Sequence, residues 1–207
     1  MKKPRPPSNQ ELRTRKDLLL AAGRLIKQGR KPTMDEVAAA ALVSRATAYR
    51  CFRNVDALLA EVPIDEATGD PAAAFAANPA GDVETRIDEA EAAMHKIIYE
   101  NEAQLRVMLA HSIGRDRAND RAPVRQNRRS PLIAAALAPA HHRFKDTEYA
   151  KLCAALALIF GPEAMIVFRD VLGLDGPAAR AVKSWAVRAL VRAALQETDD
   201  KPKGRRK

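Results

Sequence analysis

The 207-residue chain is long enough for one large domain or two small ones, and its 47% hydrophobic content excludes global disorder. Its formal charge of +9 is unevenly placed: residues 1–62 carry 13 Lys/Arg against 6 Asp/Glu, residues 63–200 carry 17 against 20, and residues 201–207 carry five bases and no acid. A basic first module beside a mildly acidic body points to a polyanion partner for that module alone, and two cysteines exclude a disulfide framework and fit a reducing cytoplasm.

Aromatic residues are only 4%, Ala is abundant, and Val, Ile and Thr never gather into alternating runs bounded by turns. The expected fold is all-α. No apolar run reaches the roughly 18 residues of a membrane span. Met1-Lys2-Lys3-Pro4-Arg5-Pro6-Pro7 has a basic start with no apolar core behind it, so residues 1–8 read as a flexible basic arm rather than a signal peptide.

A first helix is expected from Ser8 or Asn9 to Gln28, with Leu18, Leu19, Ala22, Leu25 and Ile26 on one face and Arg15, Lys16, Arg24 and Lys27 on the remainder. Gly29 stands where a helix end wants a left-handed residue. Thr33-Met34-Asp35-Glu36 is a capping box, T-x-x-E, opening a second helix with Val37, Ala38 and Ala41 inward. Leu42-Val43 forms the turn, and Ser44 caps a short third helix ending near Cys51 or Phe52. Val43 and Ala48 sit where a hydrophobic staple brackets that cap, and Phe52 closes the three-helix core. Asn54 caps a fourth helix that ends near Pro63.

Residues 63–81 read as a connector. Helical segments follow at about Asp82–Asn101 and Glu102–Arg115. Residues 115–129 hold six arginines and read as an exposed loop or a frayed helix, and Pro131–Ala138 as a short apolar helix. Two long helices finish the chain, about Asp146–Leu172, interrupted at Gly161-Pro162, and about Gly176–Glu197, capped by Asp175. The implied organisation is a small basic domain over 9–62, a larger helical domain over 82–197, and a basic tail over 198–207.

The capped helix, turn, capped helix pattern fits a helix-turn-helix, whose second helix enters the major groove of double-stranded operator DNA. Arg45, at the start of that helix, can bridge O6 and N7 of guanine. Small Ala46 permits close approach, and Arg50 adds a cation. Ser44, Thr47 and Tyr49 bring hydroxyls for phosphate oxygens, and the helix N-termini near Thr33 and Asn54 favour phosphates. Plainer readings stand beside these: Thr33 and Ser44 as caps only, Arg45 and Arg50 as solvated charges, and Tyr49 packed on the first helix with its hydroxyl exposed.

From Asp17 to Val62 the chain resembles the DNA-binding domain of the TetR family of regulators. The pieces that carry this are Leu19-Leu20-Ala21-Ala22, Gly29, Thr33-Met34-Asp35-Glu36-Val37-Ala38, Val43-Ser44-Arg45-Ala46-Thr47-Ala48-Tyr49, Phe52-Arg53-Asn54 and Asp56-Ala57-Leu58-Leu59. Phe168-Arg169-Asp170-Val171 and the Trp185 helix more weakly resemble the last two helices of one TetR-like subgroup. Three positions depart from the family: Leu42 for the usual turn Gly, Val55 for the usual Lys on a backbone phosphate, and Cys51 for an aromatic or His. Val55 and Cys51 imply a thinner phosphate grip, which the arm residues Lys2, Lys3 and Arg5 could offset.

The resemblance implies a homodimer built on the last two helices, and their apolar stripes agree. Leu156, Val167, Val182, Trp185 and Ala189 are the interface candidates, against an ordinary internal core. It also implies a mostly apolar effector pocket, with Met94, Ile98, Met108, Leu109, His111, Phe160 and Met165 as candidates against simple core packing. His141-His142 point apart and no carboxylate or Cys completes a metal set, so no metal or cofactor is expected. The expected function is a ligand-responsive regulator, a repressor by default. Its competitors are a nonspecific nucleoid-type DNA coater and a helical enzyme; the latter lacks H-E-x-x-H, G-x-S-x-G and a Gly-rich phosphate loop.

Overall fold

A computed structural model describes residues 8–71, 73–76, 81–113 and 126–199. The arm over 1–7, most of the arginine-rich stretch over 115–129, the side chain of His111 and the basic tail fall outside the described residues. Among those described the protein is all-α, with ten α-helices and no strand. No single helix is long and apolar enough to cross a membrane. The chain forms two compact units, one of Met1–Ala67 with Asn101–Gln126, the other of Thr68–Glu100 with Asn127–Lys207. The Glu102 helix therefore belongs with the first unit rather than with the second domain expected over 82–197. Asn101, a single turn residue, separates it from the preceding helix.

The first unit opens with α1, Asn9–Lys27, capped by Ser8 in a capping box with Glu11, and ends before Gly29 at φ +78°. Its inward face is Leu18, Leu19, Ala21 and Ala22, while Ile26 is largely exposed. α2, Met34–Ala40, and α3, Arg45–Cys51, are each seven residues long. They bury Met34, Val37, Ala38, Ala48 and Cys51 with Phe52 behind them. α4, Val55–Thr68, runs on past Pro63, where the sequence predicted an end. Proline removes one backbone donor inside the helix. Buried Glu61, Val62, Ile64 and Asp65 pack on both sides of it, and Lys16 reaches Asp65 at 2.6 Å, so tertiary contacts hold the helix through the break. α6, Glu102–Ile113, completes the unit.

Between α2 and α3 the chain makes a Schellman turn. Leu42 N–H donates to the Ala39 carbonyl at 3.1 Å and Val43 N–H to the Ala38 carbonyl at 3.0 Å, and Val43 packs against the core. This geometry needs a left-handed residue, and Leu42 supplies it at φ 57°. Its side chain is 94% exposed, so no packing compensates the backbone strain. Leu42→Gly is expected to raise stability by about 0.5–1 kcal/mol, the relieved strain less glycine's greater unfolded-state freedom. Urea unfolding midpoints of the two proteins check this.

In the second unit α5, Val83–Glu100, packs against α10, Gly176–Asp199, and against α7, Arg129–Leu137. Asp82 caps α5 through the Thr85 amide at 2.9 Å, and Asp175 caps α10 through the Ala178 amide at 2.8 Å. Arg86 clamps α5 to α7 by donating to the carbonyls of Ala135 and Ala136. The expected Asp146–Leu172 helix is divided: α8 spans Asp146–Ile159, α9 spans Pro162–Ile166, and a π-turn covers Val167–Val171. Gly161-Pro162 makes the break, and the axes on its two sides differ by 44°.

The inward stripe of α10 is Ala179, Lys183, Val187 and Val191. Lys183 is fully buried and pairs with Glu91 of α5 at 2.6 Å. Arg180 joins Glu91 and Asp88, and Arg188 also holds Asp88. His95 lies 3.4 Å from the Lys183 ammonium and stacks on Tyr99. Burial pushes the His95 imidazole from its ordinary 6.5 down to about 4, with the Lys183 and Arg180 charges acting the same way and the Gly176 backbone opposing.

A ring kept neutral in the fold but free to protonate when unfolded contributes nothing above pH 6.5. Below that the unfolded state binds the extra proton, so stability falls as pH drops from 6.5 towards 4. His95→Gln should flatten that part of a stability-against-pH curve measured by denaturant unfolding.

Candidate nucleic-acid interface

The outer side of the first unit brings four of the sequence-predicted residues, Thr33, Arg45, Tyr49 and Asn54, around one open groove of about 460 Å³, while Ser44, Ala46, Thr47 and Arg50 lie outside its lining. Lys31, Pro32 and Thr33 line it from the chain before α2, Met34 and Asp35 from α2, Arg45 and Tyr49 from α3, and Asn54 and Val55 from the start of α4. Local sequence places each wall. The Thr33 hydroxyl accepts from the Glu36 amide, while the Glu36 carboxylate accepts from the Thr33 amide at 2.8 Å. That backbone bond is the main cause holding the Glu36 carboxyl below its ordinary range. Asn54 caps α4 by accepting from the Ala57 amide at 2.8 Å.

α3 turns Ala48 and Cys51 inward, so Ser44, Arg45, Ala46, Tyr49 and Arg50 face outward and Thr47 is half-buried. Ser44 accepts from the Thr47 amide at 3.1 Å, and the Ser44 and Thr47 hydroxyls share one hydrogen at 2.8 Å. Arg50 donates to the Thr47 hydroxyl at 3.1 Å. Two hydroxyls hold two hydrogens, and that contact uses one; the other remains to donate to an external acceptor such as a phosphate oxygen. Ser44 is thus both a cap and an outward-facing hydroxyl. Tyr49 is 41% exposed, and its ring flanks the Arg45 guanidinium at 5.5 Å.

Cys51 is buried, and burial pushes its thiol pKa up. Any effect of Cys51 on a ligand therefore passes through packing.

Three exposed cation–carboxylate pairs cross this face. Arg30 meets Glu36 at 3.2 Å, Lys31 meets Asp56 at 3.0 Å, and Arg45 meets Asp35 at 3.0 Å. Sequence reasoning missed Lys31 and the role of Asp35. Lys31 lies beside Val55 in the groove lining, so it brings an ammonium near the place where the TetR-type pattern has its phosphate lysine.

It also missed Arg15. Assigned to the polar side of α1, Arg15 is in fact buried. It donates to the Cys51 carbonyl at 2.5 Å, at the end of α3, pairs with buried Glu61 of α4, and covers the Phe52 ring at 3.9 Å. The signal was present: Arg15 precedes Leu18 by three and Leu19 by four, which puts it on the core face.

The remaining candidates lie elsewhere. Met94 and Ile98 on α5, with Phe160 and Met165 at the α8–α9 break, are buried in the second unit. Leu109, buried, and Met108, half-buried, belong to the first unit. The seven pocket candidates therefore do not fall in a single unit. Leu156 is fully buried inside the second unit and so cannot face a partner, whereas Val167, Val182 and Trp185 are exposed and Ala189 half-buried. Among the described residues no group of three or more His, Cys, Asp or Glu is placed to hold a metal. No protein family, curated protein or solved structure matches this chain.

Removing one partner of the Arg15–Glu61 pair strands a buried charge. Glu61→Ala is expected to cost about 3 kcal/mol or more, whereas the apolar double replacement Arg15→Met/Glu61→Leu should recover part of it, the Cys51 carbonyl still lacking its Arg15 donor. Chemical unfolding of the three proteins decides between these outcomes.

Proposed function

We propose that the chain is a sequence-specific DNA-binding regulator, with α2 and α3 as a helix-turn-helix and α3 as the recognition helix. The observation that carries this reading is the groove lined by Lys31, Arg45 and Tyr49, with the exposed Ser44 hydroxyl next to Arg45 in the chain. The donors fit a phosphodiester backbone around a base-reading arginine. The charge pattern supports it, since residues 1–62 are strongly basic while residues 63–200 are not.

The regulator acts as a homodimer in this reading. Two copies would present two recognition helices to half-sites about one helical turn apart. The second unit exposes Leu158 on α8, Val167 and Val171 in the π-turn, Leu172 just after it, and Val182 and Trp185 on α10, with Trp185 72% exposed. Large apolar side chains left exposed on these helical segments suit a partner helix pair. The resemblance to TetR-type regulators extends the proposal to repression relieved by an apolar effector. Effector binding would then favour a state unsuited to DNA.

The test is DNA binding by the full chain. Selection from random duplexes should enrich one sequence, and a scrambled duplex should bind far more weakly. Arg45→Ala should lose that discrimination, by about tenfold or more, with a smaller loss on scrambled DNA. Lys31→Ala should weaken both and reduce the slope of log affinity against log salt by less than one, because Asp56 already offsets part of its charge. Absence of binding at low salt would sink the proposal. Equal affinity for all duplexes would favour the nucleoid-type alternative.

A further inference from the structure

We infer that Asp35 is a specificity-determining residue of this interface, acting on Arg45 as a positioning residue rather than touching DNA itself. The inference rests on the DNA-binding reading above. Asp35 projects from the first turn of α2, where the capping box is made by Thr33 and Glu36 without it. Its carboxylate instead crosses to α3 and accepts from one terminal nitrogen of the Arg45 guanidinium at 3.0 Å. The Tyr49 ring flanks the same guanidinium. A long cation is thus held between an acid and a ring, within the lining of the groove.

This arrangement changes what Arg45 binds best. A solvated arginine at a basic surface binds any phosphate, because the attraction is between opposite full charges. With a carboxylate 3.0 Å away, part of the charge that Arg45 would present to an incoming anion is offset. The guanine edge is different: O6 and N7 are neutral acceptors, and they need two parallel N–H groups more than net charge. The guanidinium has five N–H donors and Asp35 engages one nitrogen, which leaves a further edge for a bidentate contact. Holding the side chain before binding also removes rotamer freedom that would otherwise be lost on the DNA. Asp35 therefore weakens Arg45 as a phosphate binder while keeping it as a base reader. The two neighbouring pairs, Arg30–Glu36 and Lys31–Asp56, do not involve the recognition helix.

Both side chains are exposed, so neutralising Asp35 removes no core contact. The experiment uses the full chain, the duplex it enriches from a random pool, and a scrambled duplex of the same composition. Binding of each is measured at one salt concentration for wild type, Asp35→Ala, Asp35→Asn, Arg45→Ala and Asp35→Ala/Arg45→Ala. Asp35→Ala and Asp35→Asn should bind the scrambled duplex a few-fold tighter and the enriched duplex no tighter, so that the specificity ratio falls by about tenfold. In the Arg45→Ala background, Asp35→Ala should leave the ratio unchanged.

A merely structural Asp35 would move both affinities together and downward, and that result overturns the inference. So does an equal fall in ratio with and without Arg45. If wild type enriches no sequence, the DNA-binding reading fails and this inference fails with it. If wild type enriches one, Arg45→Ala loses it and Asp35→Ala keeps it, only the inference fails.

Discussion

The candidate interface depends on the buried Arg15 side chain. α3 is seven residues long, too short to be stable alone, and its orientation has to come from what it packs on. Arg15 reaches from α1 to the last carbonyl of α3, to Glu61 of α4 and over Phe52. One guanidinium thereby ties three helices at the point where the short one ends. A hydrophobic residue at position 15 would fill the volume, yet it would leave the Cys51 carbonyl without the donor that Arg15 supplies. Arginine suits the site because its planar fork can serve a carbonyl and a carboxylate at once. The outward fan of Arg45, Tyr49 and Arg50 is the other side of the helix that this contact holds.

The turn before α3 shows the opposite economy. Every backbone bond of the Schellman turn is made, and Val43 reaches the core, but the left-handed position is given to an exposed leucine. The turn survives because the caps on both sides are strong. Thr33 with Glu36 fixes the start of α2, Ser44 fixes the start of α3, and the strain of one residue is small against those bonds and the buried Val37, Ala38 and Ala48. Leu42 is thus a local departure that the surrounding geometry overrules.

What was legible in the sequence follows from this. Caps were legible because they are short-range: Thr33, Ser44, Asn54 and Asp175 each do what their positions and neighbours dictate. Helix identity was legible from apolar spacing. The end of α4 was not, because Pro63 is a local signal and the buried Ile64 and Asp65 beyond it are anchored by residues far away in sequence. Outward-facing residues of α3 were legible from periodicity, whereas their partners were not. Asp35 and Arg45 are ten residues apart and meet only because the left-handed turn folds α2 beside α3. Charge patterning alone assigns both to water. At Arg15 residue type and position disagree: a charged side chain suggests the surface, while its spacing from Leu18 and Leu19 puts it inside.

The second unit repeats the device with a different consequence. Without Lys183, the inward stripe of α10 would read Ala179, Val187 and Val191 with one more apolar residue, a surface that tolerates a shift of one helical turn against α5. Glu91 and Lys183 are both fully buried, and burial pushes the carboxyl up and the ammonium down while their mutual attraction opposes both. A slip of four residues would carry Lys183 about one helical pitch, roughly 5 Å, from Glu91 and leave two buried charges apart. The cost of that is far larger than any gain from alternative apolar packing. The pair adds little net stability over an apolar match, but it makes one register of α5 on α10 much better than its neighbours. The rim of Arg180, Asp88 and Arg188 reinforces the same register from the more exposed side.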